Sequence, residues 1–173
     1  MELAAELAEL FFDSLAEVGE LIPVGPSEMP VDYAVLLAHD DHMTVTIEAF
    51  HGSLVNVLPL KVVEEEDFYA RTSLLVRQTD DEIVQFGIMR IRLPDLPGAV
   101  QAEIASGRTP LGRVLLRHNV LRHVELRRLW RVNPGPQLRL HWDLDPNECV
   151  YGRSAGIWFD SVPAVDLLEI VRL

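Results

Sequence analysis

Two strand-like runs around a four-residue turn constrain this chain more than any other feature. Phe68-Tyr69-Ala70-Arg71-Thr72-Ser73-Leu74-Leu75-Val76-Arg77 and Glu82 to Leu93 flank Gln78-Thr79-Asp80-Asp81. That pattern predicts an antiparallel hairpin. Upstream, Thr44-Val45-Thr46-Ile47-Glu48-Ala49-Phe50 alternates with period two, Gly52-Ser53 turns, and Leu54 to Val63 forms a second strand before the acidic run Glu64–Asp67. Leu93-Pro94-Asp95-Leu96-Pro97 stops the hairpin. Three or four further strands are expected over 120–132, 137–143, 148–159 and 165–172, the first two joined by Asn133-Pro134-Gly135-Pro136.

Helical spacing appears early and in the middle. Leu3, Leu7, Leu10, Phe11, Leu15, Val18 and Leu21 predict an amphipathic helix over 2–22. Pro23, Gly25, Pro26 and Pro30 form a breaker-rich link. Short helices follow over Asp32–Ala38 and Gly98–Ser106, and another after Thr109. Helices set among antiparallel runs give an α+β fold: a single domain over 1–173, with a largely antiparallel sheet flanked by helices. Residues 1–30 are its N-terminal helix and Pro-rich link.

Composition excludes several functions. The single cysteine, Cys149, rules out an internal disulfide and a four-cysteine zinc site. No apolar run approaches the roughly 20 residues that span a bilayer. The acidic N-terminus is unlike a secretory signal, so no membrane and a cytoplasmic setting are expected. A net charge of −12 argues against a nucleic-acid partner. Charge is also unevenly spread: residues 1–67 carry 15 acids and only Lys61, whereas 68–173 carry 12 acids and 14 arginines. Arginine suits two-point recognition of carboxylates. Arg71 stands inside an otherwise apolar strand, where it either meets a ligand carboxylate or pairs with an acid of the 64–67 run.

Gly107-Arg108-Thr109-Pro110-Leu111-Gly112-Arg113 carries the strongest local signal of function. Thr109 is a good N-cap and Pro110 fits the first helical position. The Leu111 and Gly112 amides would then leave a helix start beside Arg108 and Arg113, a setting for a carboxylate or phosphate. His39-Asp40-Asp41-His42 invites a metal reading, but it lies at a helix-to-strand junction without a third ligand cluster, so no metal is expected. His118, His123 and His141 are scattered and suggest no Ser-His-Asp arrangement. Trp130, Trp142 and Trp158 fall in expected strands, as core or sheet-face residues.

In order, Tyr69-Ala70-Arg71-Thr72-Ser73-Leu74-Leu75, Gly107 to Arg113, and Tyr151-Gly152-Arg153-Ser154 leading to Glu169 resemble chorismate pyruvate-lyase. Leu36-Leu37-Ala38-His39-Asp40-Asp41-His42-Met43-Thr44-Val45-Thr46 looks like a lyase-related branch of that family. The resemblance spans roughly 34–172. The Thr-Pro-Leu-Gly-Arg element is also similar to one in effector-binding domains of some transcriptional regulators. Two departures stand out. Gly87-Ile88-Met89 replaces a Gly-Arg-Thr, leaving Arg90 or Arg92 as substitutes, and a one-residue shift after Pro163 aligns Glu169.

The resemblance implies elimination of pyruvate from chorismate to give 4-hydroxybenzoate, a step in aromatic acid biosynthesis. Aromatisation drives that reaction, so no cofactor is implied. It implies contacts at Met43, Arg71, Leu111 and Glu169, with Arg71 and Glu169 as the catalytic pair; Gly112 adds a second amide at the helix start, and Arg153 either supports the fold or helps hold the second carboxylate. Glu169, flanked by Leu168 and Ile170, would be held protonated and donate toward the ether oxygen or the 4-hydroxyl, the alternative being an edge-strand residue that faces water. The alternative is a non-catalytic domain that binds a small carboxylate, related to the regulators' effector domains. About 30 residues precede the pocket region, fewer than a winged-helix domain requires, which favours a free-standing enzyme.

Overall fold

The computed structural model describes residues 2–120, 123–159 and 162–173, with the backbone alone at position 95. Its helices are α1 (Glu2–Glu9), α2 (Val31–Leu37), α3 (Met43–His51), α4 (Gly98–Ala105), α5 (Leu111–Arg117) and α6 (Pro136–His141). Its strands are β1 (Gly19–Val24), β2 (Val55–Glu64), β3 (Tyr69–Arg77), β4 (Ile83–Ile91), β5 (His123–Pro134), β6 (Val150–Phe159) and β7 (Val162–Val171). All seven strands form one antiparallel sheet in the order β1-β5-β6-β7-β4-β3-β2. The expected α+β class and the β3–β4 hairpin are present. Among the described residues, no helix is long and apolar enough to cross a membrane.

Alternation along the strands gives the sheet two apolar faces. On one, Leu74, Phe86, Ile88, Leu168 and Ile170 pack against Ala4, Leu7 and Ala8 of α1 and against Leu138 of α6. The other face carries two separate clusters. Tyr69, Met89, Ile91, Val165 and Leu167 meet Val100 and Ile104 of α4 and Val114 and Leu115 of α5. Leu75, Tyr151 and Val171 meet Leu36 and Leu37 of α2 and Met43 and Ile47 of α3.

Three segments depart from the sequence reading. Residues 44–50, expected as a strand, lie in α3. Met43 and Ile47 stand one turn apart and are both buried, and Gly52 ends the helix in the left-handed conformation at φ 59°. Packing of that face outweighs the strand preference of Thr and Val. The stretch 2–22 breaks after Glu9, turns through a 3₁₀ segment at Leu15–Glu17, and continues as edge strand β1 against β5. The 137–143 strand is instead α6, started by Gly135 and Pro136, with Leu138 buried. Trp142 therefore caps a helix, while Trp130 and Trp158 lie in β5 and β6. Residues 121 and 122, within the 120–132 strand of the sequence reading, lie outside the described residues.

Candidate functional site

Between the two apolar clusters on the face covered by α2, α3, α4 and α5, one row of the sheet is polar. Ser73 on β3 lies opposite Gly87 on β4, Gly87 opposite Glu169 on β7, and Glu169 opposite Arg153 on β6. Arg71 stands two residues from Ser73 and so points to the same face. Gly87 has no side chain, and the Gln85 amide reaches over it, 3.2 Å from where a Cβ would stand. A cavity opens there under the first residues of α3 and α5, with about 580 Å³ free of protein atoms, its mouth included. Met43, Arg71, Leu111, Gly112, Arg153 and Glu169 all line it.

Two arginines define the chemistry, and they differ sharply. Arg153 is 1% exposed and held on every side. Its Nε donates to Glu169 Oε2 at 2.8 Å, its Nη1 to the His39 carbonyl at 3.0 Å, and its Nη2 to the Asp41 carbonyl at 3.2 Å. His39 completes the arrangement. Its Nε2 lies 2.7 Å from the Leu36 carbonyl, and its Nδ1 is 3.1 Å from the Asp41 amide and 3.3 Å from Arg153 Nη1. Only an imidazole that is protonated on Nε2 and accepts at Nδ1 satisfies all three contacts. Arg153 therefore ties the α2–α3 connection to the centre of the sheet and is neutralised by Glu169.

Arg71 is 2% exposed and has no such partner. Its Nη1 donates to the Ile104 carbonyl at 3.3 Å, at the C-terminal end of α4, where the helix dipole favours a cation. Its Nε is buried without a hydrogen bond. Among the described residues, no carboxylate lies within salt-bridge distance of it, so it does not pair with the 64–67 run. A buried guanidinium without a counter-ion is costly unless an anion completes it.

Gly107 makes that setting possible. It takes φ 66°, and a Cβ there would stand 3.0 Å from Pro59 Cγ and 3.8 Å from Arg71 Nη1. Gly107→Ala is expected to destabilise the fold by about 1–2 kcal/mol through the left-handed backbone alone, which thermal denaturation would read. Gly112 serves a different need. A Cβ on it would meet Thr44 Oγ1 at 3.1 Å and His42 Cβ at 3.4 Å, so glycine lets α5 approach the start of α3.

Several details of the sequence reading are corrected. Thr109 makes no capping bond, and α5 begins at Leu111 after Pro110. Arg108 is exposed, and Arg113 pairs with Glu48, so neither reaches the cavity. Arg90 does not replace the missing basic residue. It lies on the opposite sheet face, paired with Asp166 at 2.8 Å, and Arg92 also stands outside the cavity. Ser73, Gln85, Thr44 and His42 also line the cavity and were not anticipated. Among the described residues, no group of three or more His, Cys, Asp or Glu side chains is placed to hold a metal ion.

No protein-family model and no curated protein matches the sequence. Solved structures do match the fold. PhnF from Mycobacterium smegmatis gives a TM-score of 0.58 at 10% identity, covering 90% of this chain and 88% of that one. The effector domain of the same protein also gives 0.58, at 11% identity, covering 87% of this chain and 91% of that one. A GntR-family transcriptional regulator from Bacillus cereus gives 0.48 at 10% identity, over 68% of this chain and 90% of that one.

The lyase reading is corrected on these findings. Structures matched along most of the chain include PhnF and its effector domain. Glu169, expected as an acid isolated among apolar neighbours, is instead ion-paired with Arg153. The chain has the chorismate lyase-like α+β fold and shares it with the effector domain of PhnF.

Proposed function

We propose that this protein is a non-catalytic effector-binding domain whose cavity takes a small carboxylate against Arg71. The observation that carries this reading is the buried Arg71 guanidinium, which lines the cavity without a counter-ion. Buried charges are otherwise paired, and Arg is suited to a two-point carboxylate contact. The α3 helix start lends further positive potential. Val45 and Thr46 are the first α3 amides bonded back to the chain, through His42. The amides of Met43 and Thr44 precede them at the cavity wall.

The charge balance favours one anionic group. Arg153 and Glu169 cancel each other, which leaves Arg71 for the ligand. Chorismate, with two carboxylates, would bring a second anion without a matching cation. Arg153 and Glu169 take structural roles in this reading. The net charge of −12 concerns direct contact by this surface with nucleic acid. It sets no limit on a part in regulation.

Calorimetric titration with small monocarboxylates tests the reading. One-site saturable binding is expected. Arg71→Lys keeps the charge but loses the fork, at a cost of about 1.5–3 kcal/mol of binding. Its melting temperature should match that of the parent. Unchanged affinity in the folded variant would overturn the assignment.

A further inference from the structure

The cavity holds a second polar side chain that the fold leaves without a partner. Gln85 on β4 is 7% exposed, lines the cavity, and has its Oε1 buried with no hydrogen bond. Its cross-strand neighbours are apolar, Leu75 on β3 and Val171 on β7. Glutamine on such a face loses water without gaining a protein partner, a state that folded chains seldom keep. We propose that Gln85 reads the far end of the ligand, and that the cavity selects a monocarboxylate carrying a neutral hydroxyl or carboxamide opposite its acid group.

The placement of the two residues sets the shape of that ligand. Leu75, opposite Gln85, lies four residues along β3 from Arg71. At about 3.4 Å per residue, that is about 14 Å along the strand. Arg71 and Gln85 thus approach the Ser73–Gly87 row from its two sides, and the Gln85 amide reaches over Gly87, 3.2 Å from where a Cβ would stand, so the polar ends are closer than the strand spacing. Met43, Val57, Met89 and Leu167 wall the cavity with apolar groups. An apolar body a few bonds long would bridge from the guanidinium to the amide.

Charge excludes the simplest alternative. A second carboxylate at the Gln85 end would face a neutral amide, and the nearby charges of Arg153 and Glu169 are already paired. A carboxamide can both donate and accept, so a hydroxyl or another amide satisfies it in either orientation.

This inference rests on the carboxylate reading, and its test separates the two. The full chain is titrated calorimetrically with hexanoate, 6-hydroxyhexanoate and adipate, and with shorter and longer members of each series. The parent protein is expected to bind the best hydroxy acid about 10-fold more tightly than its unsubstituted counterpart, the size of one hydrogen bond. The diacid should bind no better than the unsubstituted acid. Gln85→Leu should lose the hydroxyl preference, bringing the ratio of hydroxy-acid to simple-acid affinity close to one. A parent protein that binds the simple acids through Arg71 without preferring any hydroxy acid overturns this inference alone. The same ratio in parent and Gln85→Leu also overturns it. No binding of any acid in the millimolar range overturns the carboxylate reading and this inference with it.

Discussion

Arg153→Leu is expected to destabilise the protein by about 3–5 kcal/mol, because it leaves the Glu169 carboxylate buried and unpaired. Glu169 is 7% exposed and lies on β7, the middle strand of the sheet. The substitution also removes the donors to the His39 and Asp41 carbonyls, which frees the connection leading into α3. For a chain of this size the melting temperature should fall by about 6–20 °C. Changing both residues to leucine should restore much of the loss, since a well-packed apolar pair often equals or exceeds a buried ion pair. That recovery separates a structural pair from two independently acting side chains. A single variant with the parent melting temperature would show that Glu169 finds water or another partner.

Arg71→Met should act in the opposite sense. The parent guanidinium is buried with its Nε unpartnered, so an apolar side chain of similar length removes an uncompensated charge from the interior. The free variant is expected to melt no lower than the parent, and binding of a small monocarboxylate should fall by about 10- to 150-fold, the loss of a charged hydrogen-bond pair. Thermal denaturation and calorimetric titration of the same sample read both effects. A large drop in melting temperature would mean that Arg71 holds the fold together and that its place in the cavity is incidental.

Much of this was legible in the sequence because it depends on local pattern. The β3–β4 hairpin follows from alternation around a polar turn, and α4 and α5 from their breakers and apolar spacing. Arg71 drew notice because a lone arginine in an apolar strand has no ordinary place there. What could not be read depends on contacts made across the fold. The α3 segment has the composition of a strand, and only burial of Met43 and Ile47 against α2 and the sheet makes it a helix. β1 reads as the tail of a helix until its pairing with β5 is known.

The site shows the same limit. Glu169 was assigned to the final strand, but its partner was hidden, because Arg153 meets it only through the β6–β7 register. Gln85 gave no signal, since a glutamine in a strand ordinarily faces water. Its burial beside Gly87 follows from the order of the strands.

A crystal structure of the protein soaked with a small monocarboxylate tests the central claim most directly. The acid group should be found in the cavity with both oxygens on the Arg71 guanidinium and with the Arg153–Glu169 pair unbroken. An acid bound instead at the surface arginines Arg90, Arg92 and Arg127, with Arg71 untouched, would contradict the account.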